Sequence, residues 1–366
     1  MELVVRKNDL LRELQFFQGI VERKNTIPIL ANVLMEADGS EVRLLATDLE
    51  VSLRSKCEAS VAHQGSLTLP AKKLFEIVKA LPDTEIRIEQ DGASVKLAAD
   101  RFDSKMATLP REDFPTLPEA QGTGVPIPRS ALREMIAKTQ FAITGEDTRY
   151  YLNGALILLK GKQMTMVATD GHRLALVNVD RDAASPAERR AIIPKKTLVE
   201  LSRLLTEGDG DVYYELGENH QFFQVGERLL ISRINEGQFP AYERVIPKGN
   251  DKRIEFERDR LTSAVKRVAL LSNERSRAVK FEVSSGKVEI SSNSPEFGEA
   301  REQLIVDYSG PALQICFNEK YVTDFLNVVE TDAVELELKD EVSQAVMRPV
   351  SANGYDYTYV IMPMRL

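Results

Sequence analysis

The chain repeats itself about every 122 residues, and this limits the folds open to it more than any single motif does. Ala46-Thr47-Asp48 recurs as Ala168-Thr169-Asp170, and Ser291-Ser292-Asn293 lies 123 residues further on. Upstream, Asp9-Leu10-Leu11-Arg12-Glu13-Leu14 parallels Ala131-Leu132-Arg133-Glu134-Met135-Ile136, with Arg260–Val265 as a third copy. Leu69–Glu76 matches Ile193–Glu200, and Phe317–Val322 follows them more loosely. Phe114-Pro115 and Phe239-Pro240 close the first two units, 125 residues apart. One matching tripeptide would be chance; ordered matches near one common offset are not. The length of 366 is three times 122, so the expected domains are residues 1–120, 128–246 and 247–366.

The punctuation agrees with that division. Pro115–Pro128 is rich in proline and glycine and reads as a linker, and Ile246–Asn250 as a second, shorter one. Within each unit the hydrophobic period switches between 2 and 3.6. Glu41–Ala46, Thr84–Glu89, Val212–Leu216 and Val334–Leu338 read as strands. Asn8–Ile20, Ala71–Leu81, Arg129–Gln140, Lys195–Leu205, Arg258–Leu270 and Asn318–Val328 read as helices. The expected fold class is α+β: three repeated modules, each with two helices on one face of antiparallel sheets.

Charge is unevenly spread. The chain carries a net −8, which alone argues against nucleic acid. The six helical segments nevertheless sum to +7, which leaves −15 for the rest. At 100° per residue Lys72 and Lys79 fall about 20° apart, opposite Leu74, Ile77, Val78 and Leu81. A solvated helix face is the plain reading of one such helix. Four basic helices of six point instead to a diffuse positive surface that attracts phosphate without reading bases. Its candidates are Lys72, Lys79, Arg133, Lys195, Lys196, Arg203, Lys266 and Arg267.

Other classes fall away. No run approaches ~18 apolar residues and no secretory leader is visible, so a cytoplasmic protein without membrane contact is expected. Cys57 and Cys316 make no scaffold or metal spacing, and His63, His172 and His220 lie far apart, so neither metal nor cofactor is expected. Phosphate-loop, dinucleotide and zinc-hydrolase motifs are missing. Asp170-Gly171-His172-Arg173 could be imagined as a hydrolase site. No Ser or Cys nucleophile motif accompanies it, and the first repeat has Asp48-Leu49-Glu50-Val51 there. A specialised binding turn is the better reading.

The C-terminal Met362-Pro363-Met364-Arg365-Leu366 is apolar where chain ends are usually polar, and methionines accommodate varied partners. Such a tail needs a second wall. The Gly171–Arg173 turn supplies one, with Leu174 and Val245 apolar and Arg173 and Arg244 as polar rim. A peptide with leucine or phenylalanine anchors would fit there. Arg149, Tyr150 and Tyr151 suit contact with phosphate or a stacked base.

The sequence resembles the family of bacterial sliding clamps, the β subunits of DNA polymerase III. The resemblance covers all 366 residues. It rests on Thr26–Leu30, Arg149–Gly154, Ala168–Ala175, Leu271-Ser272-Asn273-Glu274 and Met362–Leu366. It implies a non-catalytic homodimer, a six-module ring around double-stranded DNA. The ring would be opened by an ATP-driven clamp loader and would tether the replicative polymerase alpha subunit, other polymerases and repair proteins through short peptide motifs. Residues matching the family's peptide cleft are Leu152, Thr169, Gly171, His172, Arg173, Leu174, Pro240, Arg244, Val245, Val342, Gln344, Val360, Met362, Pro363 and Met364, bordered by Asn318 and Tyr321. Lys24, Tyr150 and Tyr151 match DNA-contacting positions, and Leu270 and Leu271 would meet the Phe102–Met106 edge of a second copy. Helix size agrees: twelve helices about 8–10 Å apart leave a hole of roughly 26 Å, whereas six leave too little for a duplex. The rival is a three-module protein scaffold that never touches DNA.

Overall fold

The computed structural model describes residues 1–21, 27–122, 124–145 and 147–365, so the expectations at Lys24, Thr26 and Leu366 lie outside it. The chain forms two compact units, residues 1–130 with 196–234, and residues 131–195 with 235–366.

The first unit holds helices α1 (Lys7–Phe17) and α2 (Ala71–Ala80), and most of α4 (Lys195–Leu204). Five strands form one antiparallel sheet in the order 60–63, 2–6, 85–91, 94–99, 102–107. Eight form another, in the order 125–128, 211–216, 220–225, 228–233, 51–58, 41–47, 32–38, 65–70. Leu229–Ser232 pairs with Val51–Arg54, so strands from two sequence repeats share one sheet. Alternation puts Val42, Leu44 and Ala46 inward, and α1 and α2 bury Leu10, Leu14, Phe17, Leu74 and Val78. Each of the valine, leucine and phenylalanine side chains among them contributes about 1.5–3 kcal/mol by leaving water.

The second unit is built likewise. Its six-stranded sheet runs 154–169, 173–194, 356–361, 345–349, 333–338, 252–257, and its four-stranded sheet 298–305, 287–294, 278–284, 313–318. It contains most of α3 (Arg129–Thr139) and all of α5 (Arg258–Ala269) and α6 (Glu319–Val328). In α5 the buried Leu261, Ala264, Val265 and Val268 follow the i, i+3, i+4, i+7 pattern. Asn318 is not the first residue of α6 but its cap: its side-chain oxygen accepts the Lys320 N–H at 3.0 Å.

The proline-rich linker is shorter than its composition predicts. Val125–Pro128 is a strand at the edge of the eight-stranded sheet, paired with Asp211–Tyr214. Proline is tolerated there because an edge strand leaves amides that need no ladder partner. Ser291-Ser292-Asn293 does not turn as its two counterparts do. It lies within the strand Lys287–Ser294, where the Ser292 hydroxyl donates to the Val268 carbonyl at 2.6 Å.

Candidate functional site

In the second unit, strand Gly154–Thr169 reverses into Arg173–Pro194 through a turn held by its own side chains. Thr169 Oγ1 accepts the Gly171 N–H at 3.1 Å and donates to the Arg173 carbonyl at 2.6 Å. Asp170 Oδ1 accepts the His172 and Arg173 amides at 2.9 and 3.0 Å. Gly171 takes φ +89°, the left-handed region that glycine enters without steric cost. His172 is left exposed, its ring stacked on that of Tyr321 from α6 with centroids 6.4 Å apart.

The C-terminal segment is tied to this turn. Strand Asp356–Ile361 pairs with Arg173–Asn178, and beyond it the Met362 N–H donates to the His172 carbonyl at 2.9 Å. The Met364 N–H donates to the Cys316 carbonyl at 2.7 Å. The tail is therefore anchored at two points rather than loose. Met362 is exposed, and Pro363 and Met364 are half-buried. Below lies a cluster containing Leu174, Val346, Val360, Phe239 and Tyr242, with Tyr151 and Ile246 packed on it. Leu152 is buried and Pro240 half-buried, while Arg244, Val245 and Val342 stand exposed and Gln344 is half-buried. The surface so formed is apolar at its base and polar at its margin, which suits a short peptide with apolar anchors.

Arg173 departs from the rim role that its sequence position suggests. It is only 8% exposed. Its Nε reaches Asp170 Oδ2 at 3.0 Å, its Nη1 Asp324 Oδ2 at 2.6 Å and its Nη2 the Phe141 carbonyl at 2.7 Å. The guanidinium also lies 4.4 Å from the Tyr321 ring centre and 5.3 Å from that of Phe141. Burial works against its charge, but Tyr359 and the Asp324 and Asp170 carboxylates more than reverse this and keep it protonated. Asp324, Phe141 and Tyr359 were not among the residues expected here. The only sequence signal was Asp324 on the exposed-looking face of α6, next to Lys320 in the helical period.

The predicted cationic surface divides in two. Lys72, Lys79, Arg133 and Lys266 are exposed with no carboxylate paired to them among the described residues, and Arg203 and Arg267 are exposed too but paired with carboxylates. Others are engaged: Lys195 donates to the Ile143 carbonyl at 3.3 Å, Lys196 pairs with Asp48, Arg203 with Glu200 at 3.1 Å and Arg267 with Glu302 at 2.6 Å. Lys138, counted in the +7 sum, is buried beside Glu134 at 3.1 Å with its ammonium 4.4 Å from the Tyr355 ring centre. Arg149 forks onto Asp147 at 2.9 and 2.7 Å, holding that carboxyl down at about 2. Tyr150 is 72% exposed, whereas Tyr151 packs inward.

Two of the sheet edges carry exposed apolar side chains. Strand Phe102–Ala107 ends the five-stranded sheet, with Phe102 exposed and Met106 half-buried. Strand Gly298–Ile305 ends the four-stranded sheet and leaves Ile305 76% exposed. Leu270 is 78% exposed, Phe297 50%, and Leu271 is half-buried. Phe297 and Ile305 are apolar surface residues that periodicity alone did not single out. Among the described residues no group of acidic, Cys or His side chains could hold a metal ion, and no helix is long and apolar enough to cross a membrane. Burial pushes the Cys57 thiol up to about 12, leaving it unreactive.

Comparison with known proteins decides the family. Residues 1–118, 126–241 and 243–365 match the models of the N-terminal, central and C-terminal domains of the DNA polymerase III beta subunit. The chain belongs to this family. It is 41% identical to the beta sliding clamp of Pseudomonas aeruginosa and 36% to that of Escherichia coli, each alignment covering all of both chains. It superposes on a crystal structure of the Pseudomonas aeruginosa subunit with a TM-score of 0.96 at 40% identity, again covering both chains completely. The Caulobacter crescentus subunit gives 0.94 at 34% identity. As a family member the chain is a non-catalytic DNA polymerase processivity factor, a homodimeric ring clamp on DNA that tethers polymerase through a peptide-binding cleft.

Proposed function

We propose that the cleft of this chain is the surface between the Gly171–Arg173 turn and the Met362–Met364 tail. Its clients are the replicative polymerase alpha subunit, the clamp loader and other polymerases and repair proteins carrying short apolar motifs. The observation that supports this best is the Met362 N–H bond to the His172 carbonyl at 2.9 Å, which joins two walls that neither segment could build alone. Leu152, Thr169, Leu174, Pro240, Arg244, Val245, Val342, Gln344 and Val360 line or border it. Asn318 and Tyr321 flank it from the start of α6.

DNA meets the exposed cations Lys72, Lys79, Arg133 and Lys266, together with Arg149 and Tyr150 of the second module. Weak, base-blind contacts are what sliding requires, and the acidic remainder repels other DNA. Lys195, Lys196, Arg203 and Arg267 serve structure first, and Tyr151 supports the cleft base. The dimer contact joins the Phe102–Met106 edge of one copy to Leu270, Leu271, Phe297 and Ile305 of the other. Modules at residues 1–120, 128–246 and 247–366 and a cytoplasmic location complete the reading.

The cleft is tested by titration calorimetry with a polymerase-derived peptide. Protein lacking residues 362–366 should lose ~2 kcal/mol or more of binding, the size of a hot-spot loss, while remaining dimeric. Equal affinity would put the cleft elsewhere. The ring is tested by retention at high salt, which should persist on circular DNA and vanish on linear fragments.

A further inference from the structure

The Arg173 guanidinium cannot greet a client, because three of its nitrogens are already spent on protein acceptors and two aromatic rings lie against it. Yet it carries the backbone of the turn that presents His172, and it lies 4.4 Å from the Tyr321 ring centre, on which His172 stacks. Of its two carboxylate partners, Asp170 belongs to the same turn and moves with it. Asp324 does not: it sits on α6, 151 residues on, one helical turn from Tyr321. Asp324 is itself braced by Lys320, whose ammonium reaches Oδ1 at 3.1 Å while Oδ2 faces Arg173.

We propose that Asp324 is a positioning residue for client binding: through Arg173 it holds the His172 turn in register with Tyr321. This rests on the cleft reading above. A fork-shaped guanidinium fixes orientation as well as distance, which a lysine would not. Without the α6 carboxylate the guanidinium keeps Asp170 and the Phe141 carbonyl but loses its only acceptor on α6. The His172–Tyr321 pair then becomes free to slide, and a client must order it on binding, which weakens affinity.

The first repeat offers independent support. There Val51 stands at the position of Arg173, and the homologous Asp48 carboxylate is taken by Lys196, the second residue of α4. Both turns are thus tied by one ion pair to the opening turns of a following helix, with the charges reversed in the second.

The test uses the full dimer and three variants, Asp324→Asn, Asp324→Glu and Arg173→Met, with a polymerase-derived peptide. Asp324→Asn should weaken the peptide about tenfold and shift the His172 ring-proton resonances in the free protein, before any peptide is added. Asp324→Glu should restore most of both. In the Arg173→Met background Asp324→Asn should cost nothing further, which separates positioning from direct contact with the peptide. An unmoved His172 resonance, or an additive loss in the double variant, overturns the inference and leaves the cleft reading standing. If intact protein takes up no peptide, the cleft reading falls and this inference falls with it, even where the His172 resonance moves.

Discussion

The turns at Thr47–Val51 and Thr169–Arg173 are one piece of backbone put to two uses. In both, the threonine hydroxyl accepts the amide two residues on, at 3.0 and 3.1 Å, and the aspartate accepts the next two amides. In both, the residue after the aspartate is left-handed, at φ +78° and +89°. The first turn fills that position with Leu49, half exposed, and the second with Gly171. The first is tied down by Lys196, a point charge that is 28% exposed, and the second by the buried fork of Arg173. The first turn is thus held from outside by a flexible lysine on α4, whereas the second carries its own planar fork where the first has Val51, and so is fixed in orientation as well as position.

Breaking the anchors should separate the two turns most. Arg173→Met leaves Asp170 without its cation and Asp324 with only the exposed Lys320, and should cost ~3–5 kcal/mol in denaturant unfolding. Lys196→Met strands a buried carboxylate that still keeps its two amide bonds, and should cost less, about 1–2 kcal/mol. Equal losses would erase the distinction.

Next in size is Gly19, in the first unit, where an added Cβ would lie 2.0 Å from the Glu200 carboxylate. Gly19→Ala should cost ~1–3 kcal/mol, because Glu200 is buried and pinned to Arg203. The left-handed positions come after. Gly171→Ala should cost about 1–2 kcal/mol from backbone strain alone, since its nearest neighbour, an Arg149 nitrogen, is 3.8 Å away. Leu49→Gly should stabilise by less than ~1 kcal/mol, as relief of strain outweighs glycine's added chain entropy. Thermal midpoints moving in the same direction for both would contradict a shared turn geometry.

The smallest effect concerns pH. Burial raises the Glu200 carboxyl above its ordinary value of 4.5, despite Arg203 beside it. Its charge therefore opposes folding at neutral pH, and that opposition fades as pH falls through the raised value towards 4.5. Glu200→Gln should melt slightly higher than the parent at pH 7, with the gap closing in acid. A gap that widens in acid would mean the carboxylate is stabilised instead.

Much of this architecture was written in local pattern. All six helices begin within one residue of where periodicity puts them, because Pro70 and Asn318 mark the starts and the i, i+3, i+4 apolar positions mark the buried face. What pattern could not carry was pairing at long range. Arg173 reads as a rim residue because nothing near it announces Asp324, and Lys138 reads as surface charge because Tyr355 lies 217 positions further on. The same holds for Lys196 and Asp48. A charged residue looks exposed in sequence until its distant counter-charge is known. The apolar edges were legible only in part: Phe102 and Leu270 came from the family resemblance, while Ile305 ends a strand whose charges, Glu299 and Arg301, disguise it.

The tail's two anchors are both main-chain amides, at Met362 and Met364, and the proline between them has no amide to offer. Residue-by-residue alternation therefore points each usable N–H at the protein and loses nothing at Pro363. No methionine side chain is required to hold the tail in place. Those side chains are free to vary among apolar alternatives without loosening the main-chain ties that hold the tail.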